Sequence, residues 1–452
     1  MIEYQATKAI LRLRTKQMVL IFASFFAGII YIPGQGMAYA DTRSVINISI
    51  EGGGDLTLHQ VLQQVLQNNP ELSAFSKEVA AYEGTKLQAG LLKNPEFIIG
   101  AESFDSSNPN IERSTSFRIS QLIELGEKRP ARVNVATLGQ ELADQAYAAK
   151  RLEIVARTAN TFIDVLESQE QVRVADDTVR LTQAAMGAAA KRVETGKAPP
   201  MEAIRSKVAF STAGIELEQA KRGLAAARAK LALLWGETKP QFGQALGNLE
   251  SFVEIPDFDQ LVKRLEENPV MLQSSKHVAQ REAMVELERA RRIPDVTIGV
   301  GLRRYLGIDV TAAVLDMSIP IPIFDRNQGN ELEAHRRLNK AIDERMAVGL
   351  QLRTEFARNY ESLLAARNEI RVLHDEVLPG AQDAFVITNR GYQLGKFSFL
   401  EMLDAQRAFF QNRIFYVRAL ANYQRLINAI EQLVAAPLDD FINDVKGKER
   451  NQ

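Results

Sequence analysis

Apolar residues recur at helical spacing from Leu56 to Asn69, at Leu58, Val61, Leu62, Val65 and Leu66, and predict a helix that Asn68-Asn69-Pro70 stops. A second helix starts at Pro70 and runs to about Leu92, where Asn94-Pro95 breaks it. The pattern then turns from helical to alternating. Residues 96–104 and 113–123 read as strands, joined by the turn-rich Asp105-Ser106-Ser107-Asn108-Pro109-Asn110. From Gly126-Glu127-Lys128-Arg129-Pro130 the helical pattern resumes and does not stop before Thr195. At 1.5 Å per residue that is about 100 Å, several times an ordinary globular helix. After a turn at Gly196 a helix returns from Pro200 to about Trp235.

The whole pattern then repeats. Gly196 and Gly395 are separated by 199 residues, and at the same shift Lys197 meets Lys396, Glu202 meets Glu401 and Phe210 meets Phe409. Asn69-Pro70 likewise meets Asn268-Pro269, Pro95 meets Pro294, and Ile99-Gly100 meets Ile298-Gly299. So many matches at one shift mark a tandem duplication of a large hairpin unit, which implies pseudo-symmetry inside one assembly. The first copy spans residues 41–240, with its helical hairpin over 129–235. The second spans 241–437, with strands at 296–304 and 309–319 and a hairpin over 328–434. Residues 438–452 are expected to form a loose polar tail.

The strands alternate. Val296, Ile298, Val300 and Leu302 face one way, and Thr297, Gly299, Gly301 and Arg303 the other. Runs of about nine to eleven residues suit tilted strands crossing a bilayer. Four strands cannot close a barrel alone, so several protomers would have to share one, three giving twelve strands. A small soluble sheet capping a helical bundle fits the same pattern, and both readings stand at this point. The long helices are alanine-rich, at Ala143, Ala146, Ala148, Ala149 and again Ala225, Ala226, Ala227, Ala229. Small side chains let long helices approach closely, and a ring of such pairs leaves a polar bore.

Composition adds an address. Lys8, Arg12, Arg14 and Lys16 precede an apolar run from about Met18 to Ile32 and then Ala38-Tyr39-Ala40. That is the order of a cleaved signal peptide over residues 1–40, and the apolar run is shorter than the roughly 20 residues of a spanning helix. A net charge of −1 offers no electrostatic case for nucleic acid. The absence of cysteine excludes disulfides, thiolate metal sites and a cysteine nucleophile. The four histidines, His59, His277, His335 and His374, have no ligand spacing, and no catalytic motif is present. Neither an enzyme nor a cofactor is expected.

Several stretches are more specific: Ser120–Arg129, Leu234-Trp235-Gly236, Arg292–Val296, Ile319–Gly329 and Gly391–Arg407. Across essentially the whole mature chain they resemble the TolC-type outer-membrane efflux channels, in the branch serving cobalt–zinc–cadmium efflux. The resemblance implies a mainly α protein with a small β part: tandem long helical hairpins forming an α-barrel, plus four strands per protomer in a trimeric twelve-stranded β-barrel. It implies a homotrimer in outer-membrane lipid, passively conducting substrate received from a periplasmic adaptor (membrane fusion) protein and an inner-membrane resistance-nodulation-division pump. A periplasmic coiled-coil adaptor is the alternative, disfavoured by the duplication and the paired strand hairpins.

The resemblance also places a periplasmic gate at Tyr392, Glu401, Asp404 and Glu202, and adaptor contacts at Gly196, Lys197, Met201, Gly395, Lys396, Phe397 and Leu400. The basic residue that the family carries two positions after the glycine is Phe397 here, so Lys396 or Lys197 is expected to substitute. By spacing alone, Glu401 and Asp404 stand i, i+3 on one helical face, and three-fold symmetry would make them stacked acidic rings whose members raise one another's pKa. First-turn acids equally complement a helix dipole and cap its amides. The copy is not exact: Arg205 stands where the second tip has Asp404. Phe397 and Phe399, with Met201 and Leu400, are expected to expose apolar surface to an adaptor or to pack between the two tips.

Overall fold

The computed structural model describes residues 54–103 and 112–440. The signal segment, the turn at 105–110 and the tail beyond 440 lie outside the described residues. The elements run β1 (Leu56–Thr57), α1 (Leu58–Asn68), α2 (Pro70–Gly90), β2 (Glu96–Glu102), β3 (Ser114–Ile123), α3 (Lys128–Glu194) and α4 (Pro200–Leu233). They then repeat as β4 (Ala245–Leu246), α5 (Phe258–Arg264), α6 (Pro269–Ala290), β5 (Val296–Tyr305), β6 (Val310–Ser318), α7 (Gln328–Val372), α8 (Leu378–Gln393) and α9 (Phe399–Val434).

Two buried asparagines explain why Asn-Pro recurs. Asn69 Oδ1 accepts from Leu72 N–H at 3.0 Å, capping α2, while its Nδ2 donates to Leu234 O at 2.7 Å at the end of α4. Asn268 does the same for α6 and α9, with Val270 N–H at 2.9 Å and Leu433 O at 2.8 Å. Each asparagine therefore satisfies orphan groups of two helix ends at once, and proline follows where no N–H is needed. Around these joints lies the main core, with Val61, Val65, Leu231, Leu261, Phe356, Tyr423 and Ile430 essentially inaccessible.

The structure departs from the sequence pattern in two places. Leu56–Thr57 is not the start of α1 but a short strand paired in parallel with Ala245–Leu246; Thr57 then forms a capping box with Gln60. The second long helix is not continuous: residues Leu373–Val377 form a π-turn between α7 and α8. Its counterpart α3 runs 67 residues unbroken, about 100 Å. No helix among the described residues is long and apolar enough to cross a membrane, which says nothing of the strands.

Strands β2, β3, β5 and β6 form one antiparallel sheet in that order. Register aligns Ile99 with Phe117, Phe117 with Leu302, Ile119 with Val300, and Val300 with Leu315. These residues share one face, and Phe97, Ile99, Phe117, Val300, Leu315 and Met317 are all exposed on it. The opposite face pairs Arg118 with Asp316 at 3.6 Å and Arg303 with Glu102 at 3.2 Å. Glycine is required there at position 301, where a Cβ would come within 2.3 Å of Phe117 O. Where sheet meets helix, Asp295 Oδ1 accepts from Lys128 Nζ at 2.6 Å and from Leu125 N–H at 3.0 Å, and Glu124 pairs with Arg132.

Candidate functional site

The long helices carry the chain from the sheet to two hairpin tips that lie side by side. α3 ends before Gly196 (φ +69°) and α8 before Gly395 (φ +75°). In both turns an N–H reaches back over the last helical turn, Lys197 to Arg192 O and Lys396 to Gly391 O, each at 2.8 Å. That bond needs a left-handed residue before it, which is why glycine stands at both.

An apolar cluster joins the tips: Ala189 of α3 with Tyr392, Phe399, Met402 and Leu403, and Ala185 and Ala209 against it. The first copy contributes alanines and the second the large side chains. Tyr392 is 2% exposed. Its hydroxyl donates to Glu202 Oε2 at 3.0 Å, and Phe399 meets its ring edge-on at 5.6 Å. Burial, and then the Glu202 carboxylate, push the Tyr392 phenol up to about 12, so it remains a donor throughout the physiological range. Gly391 gives the Phe397 ring its place: a Cβ there would lie 2.0 Å from the ring that crosses it, so the ring would have to move.

The cation at this site is Arg192. Its Nη1 donates to Tyr392 O at 2.5 Å and its guanidinium carbon lies 4.5 Å from the centre of the Tyr392 ring. Lys197 and Lys396, expected to fill that role, sit on the exposed turns instead. The usable signal was a basic residue in the last turn of a long helix, but its partner is 200 residues away in the chain.

The remaining candidates separate. Glu401 closes a capping box: its Oε2 accepts from Ser398 N–H at 2.7 Å and Ser398 Oγ–H at 2.8 Å, and Ser398 Oγ accepts from Glu401 N–H at 3.3 Å. The Ser398 amide and then its hydroxyl hold the Glu401 carboxyl below the usual carboxylate range, the reverse of the shift expected from crowded like charges. Within one protomer the local cap decides that titration. Asp404 is exposed one turn further along α9, and Arg205 is exposed at the matching place on α4. Phe399, expected at the surface, is only 2% exposed, because the first residue of α9 turns under Tyr392 and Met402. Met201 (53%), Leu400 (49%) and Phe397 (39%) do project from the tips beside Gly196 and Gly395.

Residues 61–237 and 261–436, one block in each copy, match the outer membrane efflux protein family. The chain belongs to that family. This efflux protein is similar to the cobalt-zinc-cadmium resistance protein CzcC of Cupriavidus metallidurans, 36% identical over 89% of this chain and 96% of the relative. It is also similar to the nickel-cobalt-cadmium resistance protein NccC of Alcaligenes xylosoxydans, 26% identical over 62% of this chain and 64% of the relative. In fold it resembles solved CusC, with a TM-score of 0.73 at 17% identity over 85% of this chain and 92% of that one. VceC of Vibrio cholerae follows, with a TM-score of 0.69 at 18% identity over 84% and 96%. Members of the family are outer-membrane efflux channels and not enzymes, and at that level the outer membrane efflux protein described here is such a channel.

Proposed function

We propose that this efflux protein is the exit duct of a three-part export system, a homotrimer whose twelve strands close a barrel in the outer membrane and whose helices form a periplasmic tunnel. The sheet carries this reading. One face is apolar and uncovered, the other is ion-paired, and β2 and β6 are open edges. In water such a sheet invites aggregation; in lipid it must pair its edges with other copies. Bacterial barrels begin at eight strands, so four per chain require partners.

The two repeats, 41–240 and 241–437, support closure of a ring. α3 packs between α2 and α6, whereas α7, its counterpart, has α6 on one flank only. The vacant flank of α7 carries exposed Ile342, Met346 and Leu350, the place that α2 of a neighbouring copy would take by the internal symmetry. Likewise α9 packs on α3, while α4, the counterpart of α9, leaves Ile204, Val208 and Ile215 exposed for a neighbour's α7–α8. Such head-to-tail contacts generate rings.

At the far end, Met201, Leu400 and Phe397 with Gly196, Lys197, Gly395 and Lys396 form the surface for a periplasmic adaptor, and through it an inner-membrane resistance-nodulation-division pump. Tyr392, Glu202, Glu401 and Asp404 form the periplasmic gate, with Glu401 and Asp404 brought into acidic rings by three-fold symmetry. The names of CzcC and NccC favour divalent heavy-metal cations as cargo. A signal peptide over 1–40 directs export.

The test is the full chain expressed in a Gram-negative host. We expect it in the outer-membrane fraction, as a trimer by native mass spectrometry, with a cation-preferring pore in planar bilayers. Replacing both Glu401 and Asp404 by Ala raises leak and lowers that preference. A soluble monomer without conductance overturns the proposal, and zinc, cobalt and cadmium tolerance with co-expressed pump and adaptor tests the cargo.

A further inference from the structure

We infer that Arg192 is a positioning residue of the closed tip, holding the end of α8 against the first hairpin. The inference rests on the exit-duct reading above. Tyr392 is gripped at two ends by two helices of the first copy: Arg192 of α3 takes its carbonyl and ring face, and Glu202 of α4 takes its hydroxyl. The Tyr392 carbonyl is one of the last of α8, at the negative end of that helix, so a guanidinium caps it with charge as well as a hydrogen bond. Release of either contact frees the second hairpin to swing relative to the first.

Two observations separate this from ordinary packing. The residue matching Arg192 in the second copy is Gly391, and the one matching Tyr392 is Val193, so the duplicated fold is built without this pair. In addition, Arg192 Nε is buried without a hydrogen-bond partner. A buried donor left unmatched regains water when the contact opens, which keeps the closed arrangement only modestly favoured, as a releasable latch requires. The flat guanidinium matters as well, because only a planar cation both stacks on the ring and reaches the carbonyl.

The experiment uses the full-length trimer in planar bilayers, with trimer melting as the structural control. Arg192→Gln raises resting open probability about tenfold, the effect of losing one charge-assisted hydrogen bond. Arg192→Lys, which keeps charge but cannot lie flat, falls between it and the parent. Adding Tyr392→Leu to Arg192→Gln adds little beyond Tyr392→Leu alone, since both remove one shared contact. Melting stays at the parent value throughout the Arg192 series. Parent-like conductance in Arg192→Gln, or a loss of trimer melting in step with the leak, overturns the latch while leaving the duct intact. A parent chain with no pore overturns the duct itself.

Discussion

The two hairpin tips share a turn but use the same glutamate differently. Glu202 and Glu401 occupy matching positions in the first turn of α4 and of α9. Ahead of Glu401 stands Ser398, whose hydroxyl and amide take the carboxylate into a capping box. Ahead of Glu202 stands Pro199, which has neither side-chain donor nor N–H, so that carboxylate is left to accept from Tyr392 across the hairpin interface. One substitution at the cap thus turns a local stabiliser into a tie between two hairpins. The tips differ in the same sense one turn earlier, where Arg192-Val193 faces Gly391-Tyr392.

The largest change expected is at Tyr392. Tyr392→Ala empties a buried aromatic site and costs about 3 kcal/mol of local stability, whereas Val193→Ala at the matching position costs well under that. Urea denaturation followed by hydrogen exchange at the tips separates the two, and equal losses would contradict the asymmetry.

Exchanging the caps sharpens the comparison. Pro199→Ser supplies Glu202 with a capping partner, draws it off Tyr392 and raises resting conductance about fivefold, the worth of one hydrogen bond. Ser398→Ala removes the cap of α9 at about 1 kcal/mol and leaves the Tyr392–Glu202 bond in place. Infrared or exchange data in which Pro199→Ser leaves Tyr392 protected would refute the exchange.

The smallest effect lies away from both the tips and the sheet, at the N-terminal end of α2, where Glu71 matches Val270 in α6. Hydrogen bonds from Arg157 and then Lys150 hold the Glu71 carboxyl down at about 2. Its folded pKa is depressed, so its contribution is complete above the ordinary 4.5 and fades as pH falls toward about 2. Exposure keeps the effect small. Exchange across Pro70–Gly90 should rise over that window more than across Pro269–Ala290, where position 270 cannot titrate.

Much of the fold was legible because it is local and repeated. Asn69-Pro70 and Asn268-Pro269 mark helix starts by chemistry that needs no knowledge of the partner, and Gly196 and Gly395 mark turns that demand positive φ. The strands announced themselves by alternation. Two-residue strands such as β1 and β4 carry no period at all, and the π-turn at Leu373–Val377 adds a residue to a helix without disturbing its composition. Ser398-Phe399-Leu400-Glu401 does display a capping box, yet the same glutamate stands i, i+3 from Asp404. Spacing cannot rank a bond to Ser398 against a ring assembled from other subunits.

By itself, then, the sequence determined the duplication, the long helices, their turns and the two-faced strands, since each depends on residues a few positions apart. Tertiary structure alone decided that Arg192 meets Tyr392, that Phe399 is inside and Phe397 outside, and that Glu202 and Glu401 part company in role. Those outcomes depend on how two hairpins about 200 residues apart in the chain dock against each other. Docking is set by the sum of many weak packing contacts, which no local pattern encodes.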